Sequence, residues 1–204
     1  MLKRSSNNLD RSVALRAGLI LFGIAAFEGA FIIIYPDVWV YHALLRAADV
    51  NAVAWLLCAA VTVGFTVYSV ATFPLLGQLL TRVSPFKLLA PIIAVPSAIL
   101  EEVFFRYNLM DVLAARHQSL AVQIIGSALA FGAAHAAWGI RGGWRAVRAA
   151  MQSTMLLGLG LAIVYLAAGR IVFPCVVAHF TINMIIEPWL MYAYILRARQ
   201  RTLA

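Results

Sequence analysis

Residues 17–35 read AGLILFGIAAFEGAFIIIY, an apolar run interrupted by a single charged side chain, Glu28. Wound as an α-helix at about 1.5 Å per residue, such a run is roughly as long as the hydrocarbon core of a bilayer is thick, about 30 Å. Lys3, Arg4, Arg11 and Arg16 precede it, as basic residues precede the core of a secretory signal. The run exceeds the apolar core of a signal peptide, which is about 7–15 residues, so the sequence predicts a retained first membrane helix.

Working outward from it, the same pattern recurs. Apolar segments run approximately over 15–35, 51–73, 88–113, 119–138, 149–168 and 171–196. Turn signals separate them: Pro36-Asp37, Ser84-Pro85, Gly142-Gly143 and Gly169-Arg170. Composition agrees, since 64% of the 204 residues are hydrophobic and 12% charged, with a mean hydropathy of +0.90. A soluble domain is about half apolar and a quarter charged. The expected fold is all-α, a polytopic membrane helix bundle of about six transmembrane helices, forming a single integral membrane domain over residues 1–204. Pro91 and Pro96 place the start of the third helix near Pro96, with 88–95 as a re-entrant or interfacial lead-in. Pro188 is expected to kink the last helix.

The formal charge of +8 would suit nucleic acid, but its carriers flank apolar runs, so no nucleic-acid partner is expected and a lipid bilayer is. In a six-helix arrangement one side receives Lys3, Arg4, Arg11, Arg16, Arg82, Lys87, Arg141, Arg145, Arg148, Arg197, Arg199 and Arg201. The other receives Arg46, Arg116 and Arg170. Twelve against three is a strong positive-inside bias, with both termini cytoplasmic. Cys58 and Cys175 lie far apart in apolar runs and read as small buried hydrophobes. No internal repeat is visible, which counts against a secondary transporter.

Ionisable side chains at mid-membrane cost about 2.5–3.5 kcal/mol each on insertion scales, so those inside the spans ask for a partner or a function. They are Glu28 in the first segment, Glu101, Glu102 and Arg106 in the third, and His135 in the fourth. The sixth carries His179 and Glu187, with the polar Asn183 between them. Glu102 and Arg106 are spaced i,i+4 for pairing along one helix face, which leaves Glu101 chemically free. His179 and Asn183 share a face by the same spacing, and Gly132-Ala133-Ala134 allows a neighbouring helix close to His135. Structural readings stay open for each: a buried ion pair, a hydrogen-bonded core histidine, interhelical polar contacts. Glu28 reads as the partner of a buried donor and Glu187 as lying near a helix break. Asn108, Asp111 and His117 fall at the outer end of the third segment, where solvation accounts for them.

Taken together, Glu101-Glu102-x-x-x-Arg106, Phe131-x-x-x-His135 and His179-x-x-x-Asn183 stand in that order on separate predicted helices. The set resembles the three motifs of the CAAX-protease and bacteriocin-processing family, integral membrane proteins that include the type II prenyl-protein endopeptidases. The resemblance covers about residues 91–188, the expected protease-motif core. This chain is smaller than the prenyl proteases, so their substrate-binding part does not carry over.

The resemblance implies an intramembrane endopeptidase acting on a peptide or a membrane-anchored protein. Glu101 would activate water, His135 would orient that water or shuttle its proton, and His179 and Asn183 would donate to the oxyanion. Arg106 would hold Glu102, and Glu102 would help to position Glu101. Ser97, Ser127 and Ser153 have no base at a suitable spacing, which argues against a serine nucleophile. No cofactor is favoured. A zinc-dependent variant would use Glu101, His135 and His179, although no HExxH is present and Asn is a poor zinc ligand. Members associated with bacteriocin immunity offer a non-catalytic immunity or scaffold role instead. The expected location is a bacterial inner membrane.

Overall fold

The computed structural model describes residues 10–80, 82 and 84–202, which are helical over most of their length and contain no strand. Lys3 and Arg4 lie outside them.

Helix α1 (Arg11–Ile34) starts where the Asp10 side chain accepts from the amides of Ser12 and Val13, a carboxylate N-cap. Pro36 does not make the expected turn. It opens a short helix, α2 (Pro36–Leu44), because proline's fixed φ suits a first helical turn. Asn51 caps α3 (Ala52–Thr72), and α4 (Pro74–Leu80) follows. Ser84 caps a single turn, α5 (Pro85–Leu88), by accepting from the Lys87 amide.

The third predicted span is composite. It consists of α6 (Ala90–Glu102), a widened π-helical stretch (Val103–Met110) and α7 (Asp111–Ala115). It starts at Ala90, with Pro91 in the first turn and Pro96 inside the helix, so 88–95 is not a separate lead-in. Then come α8 (Leu120–His135), which tightens into 3-10 turns over Ala136–Gly142, α9 (Trp144–Ala167), and α10 (Phe173–Thr202), which runs through Pro188.

Among the described residues five helical runs are long and apolar enough to cross a membrane: Arg11–Ile34, Ala52–Thr72, Leu120–Ile140, Trp144–Ala167 and Phe173–Leu196. The composite run supplies the sixth predicted segment, in pieces each shorter than a span. Large apolar side chains project outward at Leu19, Phe27, Ile33, Leu56, Val63 and Val67, a surface that water would penalise and lipid accepts. Thr62, Thr66 and Thr181 donate to carbonyls four residues back, which satisfies their hydroxyls without solvent. The protein is an integral, multi-pass membrane protein.

Tertiary hydrogen bonds fix how the ends group. At one end Arg199 donates to Asp10, and the Asp10 amide donates to the Tyr192 hydroxyl, so α1 begins where α10 finishes. At the opposite end the Asn51 amide group donates to the Ala167 carbonyl. There Arg170, at φ 64°, pairs with Asp111 and donates to Gln123, while the Tyr165 hydroxyl also donates to Asp111. Asp111 is therefore clasped, not merely solvated. Helix α6 lies at the centre, packed on α1 and α10, and α8 and α9 form the closest pair. A Cβ on Gly132 would stand 2.7 Å from the Met151 carbonyl oxygen, and one on Gly158 3.1 Å from Ala128 Cα, so small residues set that approach as expected.

Candidate active site

The site grows from one face of α6 and the π stretch after it. Ser97, one turn before Glu101, donates its hydroxyl to Glu101 Oε1 at 2.8 Å. Glu102 and Arg106 pair as their spacing predicts, with Nε donating to Oε2 at 2.9 Å and both side chains fully buried. The pairing spans the entry into the widened stretch, from the last residue of α6 to Arg106, and π-type bulges in α-helices frequently occur at functional sites.

Helix α8 supplies the second support for Arg106. Its Nη1 donates to Ser127 Oγ at 2.5 Å, and that hydroxyl donates onward to the Phe105 carbonyl at 2.9 Å. The guanidinium carbon also lies 5.0 Å from the centroid of the Phe131 ring, a cation–π contact. Phe131 is completely buried. It packs against Phe105, His135 and His179, so the aromatic residue of the second motif spaces the two imidazoles and the guanidinium.

The imidazoles converge on Glu101. His135 Nδ1 meets the Phe131 carbonyl oxygen at 2.9 Å, and His179 Nδ1 meets Glu102 Oε1 at 2.8 Å. A carbonyl and a carboxylate only accept, so in both rings Nδ1 carries the proton. Each Nε2 then points elsewhere: His135 Nε2 lies 3.3 Å and His179 Nε2 3.9 Å from Glu101 Oε2. That oxygen is buried and makes no well-formed hydrogen bond among the described residues. For these contacts to attract, a proton must reside on an Nε2 or on the carboxyl. The arrangement can store a proton and pass it on.

Four of the predicted residues, Glu102, Arg106, His179 and Glu101, are thus linked by direct contact, and His135 joins through Glu101. Glu102 reaches His179 and Arg106, whereas Ser97 is what holds Glu101, which revises the expected role of Glu102. Asn183 lies one turn beyond His179 on α10, half-buried, and its carboxamide has no hydrogen-bond partner among the described residues. Ser97 and Ser127 read from the sequence only as candidate nucleophiles. Their spacing was the missed signal, since each stands four residues before a motif residue, Glu101 and Phe131. Glu28 and Glu187 also come to this place. Glu28 interacts electrostatically with Glu101, Glu187, His135 and His179, and Glu187 with Glu101, His135 and His179. Among the described residues no three His, Cys, Asp or Glu side chains form a group able to hold a metal ion.

Fold and site together define a helical membrane protein whose buried carboxylates and imidazoles come from separate spans. The chain belongs to the type II CAAX prenyl endopeptidase Rce1-like family, which it matches over residues 82–185. Its general class is therefore that of the CAAX-type intramembrane proteases. No curated protein and no solved structure matches it.

Proposed function

We propose that the chain is a glutamate-dependent intramembrane endopeptidase, with residues 91–188 as its catalytic core and both termini in the cytoplasm of a bacterial cell. The observation that carries this reading is the approach of His135 Nε2 and His179 Nε2 to the same oxygen of Glu101, at 3.3 and 3.9 Å. Glu101 takes a proton from water, and the resulting hydroxide attacks the scissile carbonyl carbon. The Asn183 carboxamide and the His179 imidazolium donate to the oxyanion. As the C–N bond breaks, Glu101 passes that proton through His135 to the leaving nitrogen, and the second proton of the water follows from the product acid, giving a carboxylate and an ammonium group. Arg106 and Glu102 act through His179: the buried, Arg106-paired carboxylate accepts from its Nδ1–H and so fixes where Nε2–H points. The substrate is a flexible or membrane-anchored peptide segment.

The test is proteolysis by purified protein in liposomes, with Glu101→Gln as the control. Cleavage by the wild type and its loss in Glu101→Gln, with the helical fold intact, supports the assignment. Equal cleavage by both refutes Glu101 as the base, and normal cellular function in Glu101→Ala points to a scaffold or immunity role. One zinc per chain, with activity lost on chelation and restored by added zinc, would replace the metal-free mechanism by one using Glu101, His135 and His179.

A further inference from the structure

Two carboxylates at the site have no part in this chemistry. Glu187 follows His179 and Asn183 at the next i+4 step along α10, so the three lie on one stripe of that helix. It stands about 12 Å along the axis from His179. Glu28 comes from α1, which packs on both α6 and α10. The Oε2 atoms of Glu28 and Glu187 are buried and make no hydrogen bond among the described residues. Both lie outside the family-matched stretch, and they interact with each other and with Glu101.

Acids brought together this way repel, and a buried charge without a partner is costly. Arg106, the buried guanidinium of the site, keeps Nε on Glu102 and Nη1 on Ser127, and among the described residues no hydrogen bond joins it to either acid. Two unpartnered carboxylate oxygens, on two helices that both pack against the helix of the reactive carboxyl, are a receptor for a cation with several N–H donors. Lysine and arginine side chains have that chemistry.

We propose that Glu28 and Glu187 form a subsite for a cationic side chain of the substrate, making the cleaved segment a basic one. This rests on the protease reading. An extended peptide advances about 3.3 Å per residue. The lysine or arginine therefore lies within about four residues of the scissile bond. Charge pairing at this depth serves recognition, since truncating one partner of a desolvated pair is strongly unfavourable.

The experiment uses lipid-tethered peptide libraries, identical except that one set carries lysine and the other norleucine near the randomised bond. Cleavage by purified full-length protein in liposomes is read by mass spectrometry. The expected wild-type preference for lysine is about 30-fold in kcat/KM, expressed mainly in KM. It should collapse towards unity in Glu187→Gln and in Glu28→Gln, and persist in Glu187→Asp. Absence of a lysine preference in the wild type, or an unchanged preference in both glutamine variants, overturns the proposal. If neither library is cleaved, the protease reading fails, and the subsite is judged by equilibrium binding of the same peptides to the wild type. Tighter binding of the lysine set that both glutamine variants lose supports it, and equal binding of the two sets overturns it.

Discussion

Glu101 and Glu102 are neighbours in the chain, yet their surroundings divide the labour between them. Glu102 is enclosed completely and tied to Arg106 and His179, whereas Glu101 keeps one oxygen on Ser97 and turns the other to the two Nε2 atoms. Glu101→Gln should therefore abolish cleavage and leave the unfolding temperature in detergent nearly unchanged. Glu102→Gln should cost stability as well, on the order of 3–5 kcal/mol, because Arg106 is left as an uncompensated buried charge. Thermal unfolding of the two variants side by side distinguishes these outcomes. Ser97 is a positioning residue. Loss of one hydrogen bond to a charged group is worth about 1.5–3 kcal/mol, so Ser97→Ala should lower kcat by about 10- to 100-fold, with recovery in Ser97→Thr and a displaced pH profile. An unchanged pH profile in Ser97→Ala would leave the hydroxyl a purely structural part. Asn183→Ala should lower turnover by about 100- to 1000-fold with little change in substrate binding, the cost of one oxyanion donor. Of these residues, the Glu102–Arg106 pair was legible because i,i+4 spacing brings two side chains of one helix together. The His179–Glu102 contact was not, since it joins residues 77 positions apart and no periodicity reports on it. The positions of Glu28 and Glu187 were hidden for the same reason: each needs the packing of another helix to be located.

At the level of the element, helix packing is decided by where backbones touch. The 3-10 turns after α8 lie so close to the start of α9 that a Cβ on Gly139 would lie 2.3 Å from the Val147 backbone, whereas one on Gly23 in α1 would meet nothing within 4 Å. Gly139→Ala should accordingly lower the unfolding temperature and disturb His135, the last residue of α8 before those turns. Gly23→Ala should be neutral or stabilising by up to about 1 kcal/mol, the ordinary helical preference for alanine. Equal behaviour of the two variants in thermal unfolding would show that this contact does not govern the packing. The spans were legible here because hydropathy reads length and polarity directly. The Gly169-Arg170 turn was legible as well, both residues standing at φ 64°. The π widening over Val103–Met110 left no signal in the sequence, because one skipped hydrogen bond changes neither composition nor length. The start of α6 was misjudged because Pro91 and Pro96 both fit a first turn by local rules. The packing of α6 against α1 and α10 extends that helix back to Ala90.

For the molecule as a whole, the question is whether the composite run 90–115 crosses the bilayer, since no single piece of it is long enough. If it crosses, the basic residues divide twelve to three between the two sides. If it turns back, α8, α9 and α10 invert and the division becomes eight to seven, which discards the positive-inside bias altogether. The hydrogen bonds give an independent answer. Arg199 reaches Asp10, so the first and last helices meet at one end of the bundle and the number of crossings is even. Five helices of spanning length then require one more crossing. The clasp of Asp111 by Arg170 puts the close of the composite run at the opposite end, where Asn51 also meets Ala167. Reporter fusions after Gly143 and after Leu196 should therefore both report cytoplasm, and a fusion after Arg46 the other side of the membrane. An external signal at Gly143 together with a cytoplasmic one at Arg116 would show that the run turns back. Glu101 would then sit in a re-entrant hairpin, open to water from one face only, and the substrate would have to enter from that same face.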